Sequence, residues 1–177
     1  MIDSKTQLAK LLATEDITVR HSMKAKTASF DVKNRVLTLP NWVVSGDLDE
    51  DVIDVFTGHE VGHALWTAMV DWEKAIVTDK LHKGITNVVE DARIEKRIKL
   101  KYPGLVRNFA RGYKELAKRH FFFEHHSEID DMNMVDRINL HCKMGSLSGV
   151  PFSEEELYYV DLVESVWMWK DVVRVTK

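Results

Sequence analysis

Two histidines spaced four positions apart, with a glutamate directly after the first, constrain the fold of this chain more than any other feature. They are His59, Glu60 and His63, in the run His-Glu-Val-Gly-His. Side chains four positions apart project from one face of an α-helix, so both imidazoles reach a common point only if this segment is helical. Random order of the same composition would produce the pattern only about 0.03 times per chain. The run therefore predicts a helix that carries a chemical site.

The residues around the histidine pair predict a long, largely buried helix. Asp47 followed by Glu50 resembles a capping box, and the helical pattern continues toward Asp71. Apolar side chains occur around much of the helix circumference, as expected for a buried helix. They are Val52, Phe56, Val61, Leu65, Trp66 and Ala68. Such a helix can hold site residues rigidly.

Strand-like and helical segments surround this helix. A β-hairpin is expected over residues 27–40, with its turn at 31–35. Ser153 and Glu156 form a capping-box pattern at the start of a late helix. Further helices are expected over residues 4–13, 85–101, 105–122 and 134–144. The pattern predicts a single domain over 1–177, of the α+β class and mostly helical, in which a small N-terminal β-hairpin or sheet packs on the helix with the histidines.

Composition argues against several classes of function. The formal net charge of -3 gives no electrostatic reason to expect nucleic acid or an anionic membrane as the main partner, although a local basic patch is compatible with it. Cys142 is the only cysteine, so the chain can form no internal disulfide, and a reducing compartment fits best. The longest nearly apolar stretch, residues 64–70, is far shorter than the roughly 20 residues that span a bilayer, and the first twenty residues do not resemble a secretory signal. A soluble cytoplasmic protein is therefore expected.

The histidine pair is typical of a Zn²⁺ site, and Glu60 is placed to act on water. It is offset by about 100° from His59 on a helix with 3.6 residues per turn, so it can serve as a general base without binding the metal. Catalytic zinc commonly has three protein ligands and one open position. The third ligand is expected on the next helix, where Glu90 has the reach and the position for it.

Polar neighbours of Glu90 are expected to support this site. Glu90, Asp91 and Asn87 share a helix face with apolar residues, and carboxylates buried there without a partner would be costly. Asp91 could accept the second ring N–H of one histidine, and Asn87 could orient the group. The alternative is that Glu90 and Asp91 pair with basic side chains such as Arg93 or Arg97.

Three further residues are weaker candidates. Glu95 points toward the side of the acidic face, so it is a poorer ligand candidate than Glu90. Tyr113 and His120 share a predicted helix face with apolar residues, and either could stabilise an oxyanion in the transition state. Packing in the core is the simpler interpretation of both side chains.

The runs HEVGHALWT and NVVEDARIE occur in this order within residues 27–120. Together they resemble a zincin-type, gluzincin-like metallopeptidase, especially the phage and bacterial domains that precede a von Willebrand factor A module in cobaltochelatase-subunit-like proteins. The resemblance implies a zincin-like fold, zinc, a glutamate-assisted water and a glutamate ligand in the second helix, here Glu90. The chain has no D-x-S-x-S motif and too few residues for the module. It is therefore expected to be a stand-alone form or the N-terminal part of a longer architecture, in the host cytoplasm if phage-encoded.

Two functions are compatible with these motifs. The first is hydrolysis of a peptide or protein substrate, in which zinc polarises the scissile carbonyl and Glu60 removes a proton from water and returns it to the leaving amine. A substrate strand could pair with the hairpin edge near residues 27–39. The second is a noncatalytic zinc-binding module for regulation or for contact with a protein partner, in which the same ligands hold a surface together.

Overall fold

The computed structural model describes residues 17–25, 28–40, 50–119, 121–123 and 129–177. Three of the sequence-based expectations concern residues outside these ranges. They are the helix over 4–13, the capping residue Asp47 and the transition-state candidate His120.

A three-stranded sheet forms the N-terminal part of the described chain. Its strands are β1 (Thr18–Ser22), β2 (Ser29–Asp31) and β3 (Val36–Pro40), in the order β1-β3-β2. Strand β3 pairs in parallel with β1 and antiparallel with β2, where Phe30 lies opposite Leu37. In the turn between β2 and β3, the Asn34 N–H donates to the Asp31 carboxylate at 2.9 Å. The expected hairpin is therefore present, and β1 adds a third strand.

Seven α-helices follow in the ranges that the structure describes. They are α1 (Glu50–Trp66), α2 (Met69–Glu73), α3 (Lys83–Lys101), α4 (Leu105–Lys118), α5 (Met134–Met144), α6 (Glu154–Ser165) and α7 (Trp169–Thr176). A π-helical turn, Lys74–Thr78, follows α2. The capping box at the start of α6 is formed as expected, because Ser153 and Glu156 each accept from the other's backbone N–H.

Helix α1 ends at Trp66, before the expected end near Asp71. The Arg93 guanidinium donates to the Trp66 carbonyl at 2.9 Å, and Ala68 has an extended backbone conformation. A carbonyl that is bonded by a side chain no longer depends on the next helical turn for its partner. The early end leaves Thr67 beside the last turn of α1, within 3.0 Å of the His63 ring.

Helix α3 belongs to both hydrophobic cores of the described chain. Its residue Ile98 packs in a core with the sheet, α1 and α4, and Val89 packs in a second core with α5, α6 and α7. The backbone of α1 approaches α3 at Gly62, where an added methyl would lie 2.8 Å from Cδ1 of Ile94. This close approach places α3 against the turn of α1 that lies between the two histidines.

The described chain is mostly helical and contains one small sheet, which confirms the α+β class. Leu37 and Leu39 of β3 are fully buried in the core that also contains Val52 and Val55 of α1, so the sheet packs near the helix that carries the histidines. None of the helices in the described ranges is both long and apolar enough to cross a membrane.

Candidate metal centre

Helix α1 presents His59 and His63 side by side toward α3. Their ring centroids lie 4.9 Å apart, and the rings are nearly perpendicular, at 78°. The two side chains are 17% and 15% exposed, so one edge of each ring reaches solvent. The helical spacing predicted from the sequence therefore brings both imidazoles to one point.

Asp91 of α3 completes a group of three potential metal ligands with the two histidines. Its Oδ1 atom lies 3.2 Å from Nε2 of His63 and 3.7 Å from Nε2 of His59. One ligand atom from each of the three residues lies within 4.8 Å of the others. Asp91 Oδ1 is buried and has no hydrogen-bond partner among the described residues. A buried carboxylate oxygen without a partner is costly, and either a cation placed between these atoms or a proton on a facing Nε2 atom would satisfy it.

The other nitrogen of each imidazole has its own partner. Nδ1 of His59 lies 2.9 Å from Oε1 of Glu95, and Nδ1 of His63 lies 3.0 Å from Oγ1 of Thr67. The Thr67 hydroxyl donates onward to Glu90, so its oxygen must accept from Nδ1–H of His63. Protons on both Nδ1 atoms leave both Nε2 lone pairs directed at the Asp91 carboxylate, which is the tautomer that metal binding requires.

Glu90 is not part of the group of three ligands, contrary to the expectation from the sequence. Its carboxylate accepts two hydrogen bonds of 2.7 Å from the Arg93 guanidinium and one from the Thr67 hydroxyl, and the residue is fully buried. Adjacent residues on a helix diverge by about 100°, so Glu90 faces the end of α1 while Asp91 faces the histidines. The alternative of a pair with Arg93 is therefore the arrangement found for Glu90. Its remaining link to the site runs through Thr67 to His63.

Asp91 and Glu95 are held by a lysine from a distant part of the chain. Lys143 of α5 places Nζ 2.9 Å from Oε1 of Glu95 and 3.7 Å from Oδ2 of Asp91, and its side chain is only 10% exposed. Asn87 also donates to Oδ2 of Asp91, at 3.3 Å. Nothing in the local sequence around Lys143 indicated this role, because the contact joins residues about fifty positions apart.

Tyr113 supports Glu95 and does not line the cleft, so the structure does not place it to stabilise a transition state. Its hydroxyl donates to Oε1 of Glu95, and the residue is 3% exposed. Burial raises the pKa of Glu95, but Lys143, the His59 hydrogen bond and Lys99 outweigh burial and hold that pKa well below its usual range. Burial and the neighbouring Glu95 raise the pKa of Tyr113 well above its usual range. Glu95 is thus an ionised anchor for His59, a role that the sequence did not assign to it.

Glu60 lies in the wall of a cleft that contains the three potential ligands. The cleft has a volume of about 460 Å³, and β2 forms one side of it. Glu60 is 8% exposed, and burial raises the pKa of its carboxyl, although His59 and His63 oppose this effect. Phe30 of β2 lines the same cleft, and its backbone also opposes the rise in the pKa of Glu60. A buried carboxylate of raised pKa beside two histidines is suited to accept a proton.

The donor set of His59, His63 and Asp91 offers two imidazole nitrogens and one carboxylate oxygen, a combination that suits zinc and other divalent transition metals. Comparison of the chain with protein-family models, with curated proteins and with solved structures gives no match. The resemblance to zincins therefore stays a prediction, and the geometry of the site is the basis for a function.

Proposed function

We propose that this protein is a zinc-dependent peptidase in which His59, His63 and Asp91 hold Zn²⁺ and Glu60 is the general base. The observation that supports it most is the buried Oδ1 atom of Asp91, which faces Nε2 of both histidines and has no hydrogen-bond partner among the described residues. Three protein ligands with one open position are the usual arrangement of catalytic zinc. Asp91 takes the position that the sequence had suggested for Glu90.

The residues that contact the proposed ligands also fit a metal site. Glu95 and Thr67 fix the two imidazoles, because each accepts from an Nδ1–H group. Such outer partners orient histidine ligands and raise their basicity. Burial lowers the pKa of His59, but Asp91 and Glu95 outweigh burial and raise that pKa above its ordinary value. Zinc must displace this proton, so its affinity decreases at low pH.

The position of Glu60 in the cleft supports peptide hydrolysis. When bound, zinc supplies a Lewis acid that polarises the scissile carbonyl and makes water a stronger nucleophile near neutral pH. The Glu60 carboxylate accepts the proton of the attacking water and returns it to the nitrogen of the leaving amine. Its raised pKa makes it a stronger base than an ordinary glutamate.

An extended peptide fits the side of the cleft that β2 forms. In the described sheet β2 pairs only with β3, and its residues Ser29, Phe30 and Asp31 line the cleft. Residues of an edge strand can hydrogen-bond an added strand, which fixes the direction of a peptide across the metal site. Met69 and Trp72 line the cleft as well and provide apolar contact for a substrate side chain. The single cysteine is compatible with action in a reducing cytoplasm.

Glu60→Gln separates metal binding from catalysis. The amide keeps the size of the side chain but cannot accept the proton, so we expect bound zinc to persist and hydrolysis to fall by about 10²–10⁴-fold. Zinc content by elemental analysis and cleavage of an unbiased peptide library measure the two properties. Glu73→Gln, which changes an exposed glutamate away from the cleft lining, is the matched control and should cleave like the wild type.

Three outcomes would contradict the proposal in different ways. Equal cleavage by wild type and Glu60→Gln with zinc bound would reject Glu60 as the base. Bound zinc with no cleavage of any library member by the wild type would favour the noncatalytic zinc-binding module. Another stoichiometric metal, such as iron, would reject zinc, since two histidines and one carboxylate also suit Fe(II).

A further inference from the structure

The exposed face of helix α4 carries a row of four basic side chains. They are Arg107, Arg111, Lys114 and Lys118, which we call the basic ridge. At 100° per residue they fall within about 60° of one another around the helix axis. The buried residues Leu105, Phe109, Gly112, Tyr113 and Leu116 occupy the opposite face. The ridge is therefore the outermost line of the helix, on the side opposite the buried face.

The charge of the ridge is a local excess in an acidic protein. Residues 96–119 contain nine lysines and arginines and one acidic residue, Glu115, whereas the whole chain has a formal net charge of -3. Helix α6 has the opposite composition, with five acidic residues and no lysine or arginine. The net charge of the chain thus conceals a strong separation of positive and negative surfaces.

The stability of α4 does not account for the ridge. Its members follow one another at spacings of four, three and four residues, and like charges at these spacings destabilise a helix. Arg107 lies in the first turn, where the helix dipole disfavours a cation, and that turn contains no acidic residue. Arg107 and Lys114 have no ion pair or hydrogen bond from their side chains within the described part of the chain. An interaction with something outside the chain would explain charges that the helix itself does not need.

The remaining members of the ridge are only weakly engaged. Arg111 lies 3.9 Å from Asp51, and Lys118 lies 3.1 Å from Glu115, with 64% of each basic side chain exposed. Exposed pairs of this kind contribute little and exchange readily for another anion. All four cations are therefore accessible to an anionic partner.

We propose that the basic ridge binds the phosphate backbone of a nucleic acid duplex. The ridge is about 16 Å long, at 1.5 Å per residue, which matches roughly five base pairs at 3.4 Å each. An acidic protein partner fits less well, since a stable protein interface needs large apolar or aromatic anchors, and the exposed apolar residues that α4 itself carries beside the ridge are the small side chains Val106 and Ala110. Insertion in a membrane does not fit, because the apolar face of α4 is buried in the core.

The salt dependence of DNA binding tests how many phosphate contacts the protein makes and which basic side chains make them. The probe is a labelled 20-base-pair duplex of mixed sequence, and its affinity is measured by fluorescence anisotropy between 50 and 200 mM NaCl. About four phosphate contacts predict a slope of log K against log salt near -3.6, or roughly a 150-fold loss of affinity over this range. The double variant Arg107→Gln/Lys114→Gln should have a shallower slope of about -1.8, which corresponds to roughly a 12-fold loss of affinity over the same salt range.

A matched control separates the ridge from overall charge. Lys74→Gln/Lys170→Gln removes the same charge from two exposed lysines outside α4 and should keep the slope of the wild type. Equal slopes for the two double variants would overturn the proposal, as would no binding of the duplex by the wild type at 50 mM NaCl. Binding of polyglutamate as tight as that of DNA at equal charge would also overturn it, in favour of an acidic polypeptide. Circular dichroism should show that both double variants are folded, and their zinc content should equal that of the wild type. A failure of DNA binding would therefore leave the proposed peptidase function unaffected.

Discussion

Asp91 Oδ1 lies 3.2 Å from Nε2 of His63, and it has no hydrogen-bond partner among the described residues. The neighbouring residue Glu90, by contrast, has both carboxylate oxygens bonded to Arg93. One step along α3 thus separates a carboxylate that is available to a metal from one that is neutralised within the protein. This difference gives the two residues distinct mutational phenotypes.

Asp91→Ala should remove a metal ligand, whereas Glu90→Ala should mainly destabilise the fold. We expect Asp91→Ala to lower zinc affinity at least about tenfold more than Glu90→Ala, because groups outside the ligand set typically change affinity by only 10–100-fold. Glu90→Ala leaves the buried Arg93 unpaired, so the free energy of unfolding should fall by about 3–5 kcal/mol. Competition with a zinc chelator and urea denaturation measure the two effects. A larger loss of zinc affinity in Glu90→Ala would restore Glu90 as the ligand.

Lys143→Met should destabilise the metal-free protein, because it leaves Asp91 and Glu95 buried without their shared cation. Removal of one partner from a buried charge cluster costs about 3–5 kcal/mol, and the lower end applies here since Lys99 still contacts Glu95 at 3.2 Å. Urea denaturation of chelator-treated protein measures the change. Lys118→Met, which removes a lysine from an exposed pair with Glu115, should cost no more than about 1 kcal/mol. Equal losses for the two variants would show that Lys143 contributes no more than a surface lysine.

Much of the framework was predictable because it depends on local periodicity. Helix α5 spans Met134–Met144 as expected, and the capping box of Ser153 and Glu156 starts α6. The hairpin of β2 and β3 and the helical placement of the histidine pair also follow from short-range sequence patterns. These features depend on residues a few positions apart, where spacing determines which side chains share a face.

The member of the group that joins the two histidines was not predictable because it depends on tertiary contacts. Glu90 and Asp91 fall on one broad helix face in the sequence, and only the rotation of α3 against α1 decides which of them meets the histidines. That rotation is fixed where Ile94 packs on Gly62 and where Arg93 reaches the end of α1. Lys143 contacts Glu95 across 48 positions of sequence, so no local pattern could indicate it.

The ion pair between Arg137 and Glu156 should make stability dependent on pH in the acidic range. The hydrogen bond from Arg137 lowers the pKa of the Glu156 carboxyl below its ordinary value of 4.5. The carboxylate is therefore stabilised in the folded state, and its contribution is fully present above pH 4.5 and is lost as the pH falls through the lower folded-state pKa. The difference in unfolding free energy between wild type and Glu156→Gln should be largest near about pH 6 and shrink toward about pH 3. A difference that grows on acidification would contradict this assignment.

Gly112→Ala should destabilise the packing of α4 on α1, although alanine is the better helix former. Helix propensity alone favours alanine by about 1 kcal/mol in a helix interior. At Gly112, however, an added Cβ would lie 2.4 Å from the backbone carbonyl oxygen of Asp51 and 2.5 Å from Cγ2 of Val55. A backbone carbonyl cannot rotate away as a side chain can, so α1 must shift, and overpacking of this kind costs about 1–3 kcal/mol.

Gly104→Ala is the control for Gly112→Ala and should have the opposite sign. Gly104 precedes α4 with φ of -58° and ψ of -30°, and an added Cβ there would meet nothing within 4 Å. Alanine adopts this conformation without strain and restricts the unfolded chain, so a gain of about 0.4–1 kcal/mol is expected. Thermal and urea denaturation of the two variants measure these changes in the free energy of unfolding. Equal stability of Gly112→Ala and Gly104→Ala would contradict the close approach of α4 to α1. It would also contradict the support that α4 gives to the helix that carries His59 and His63.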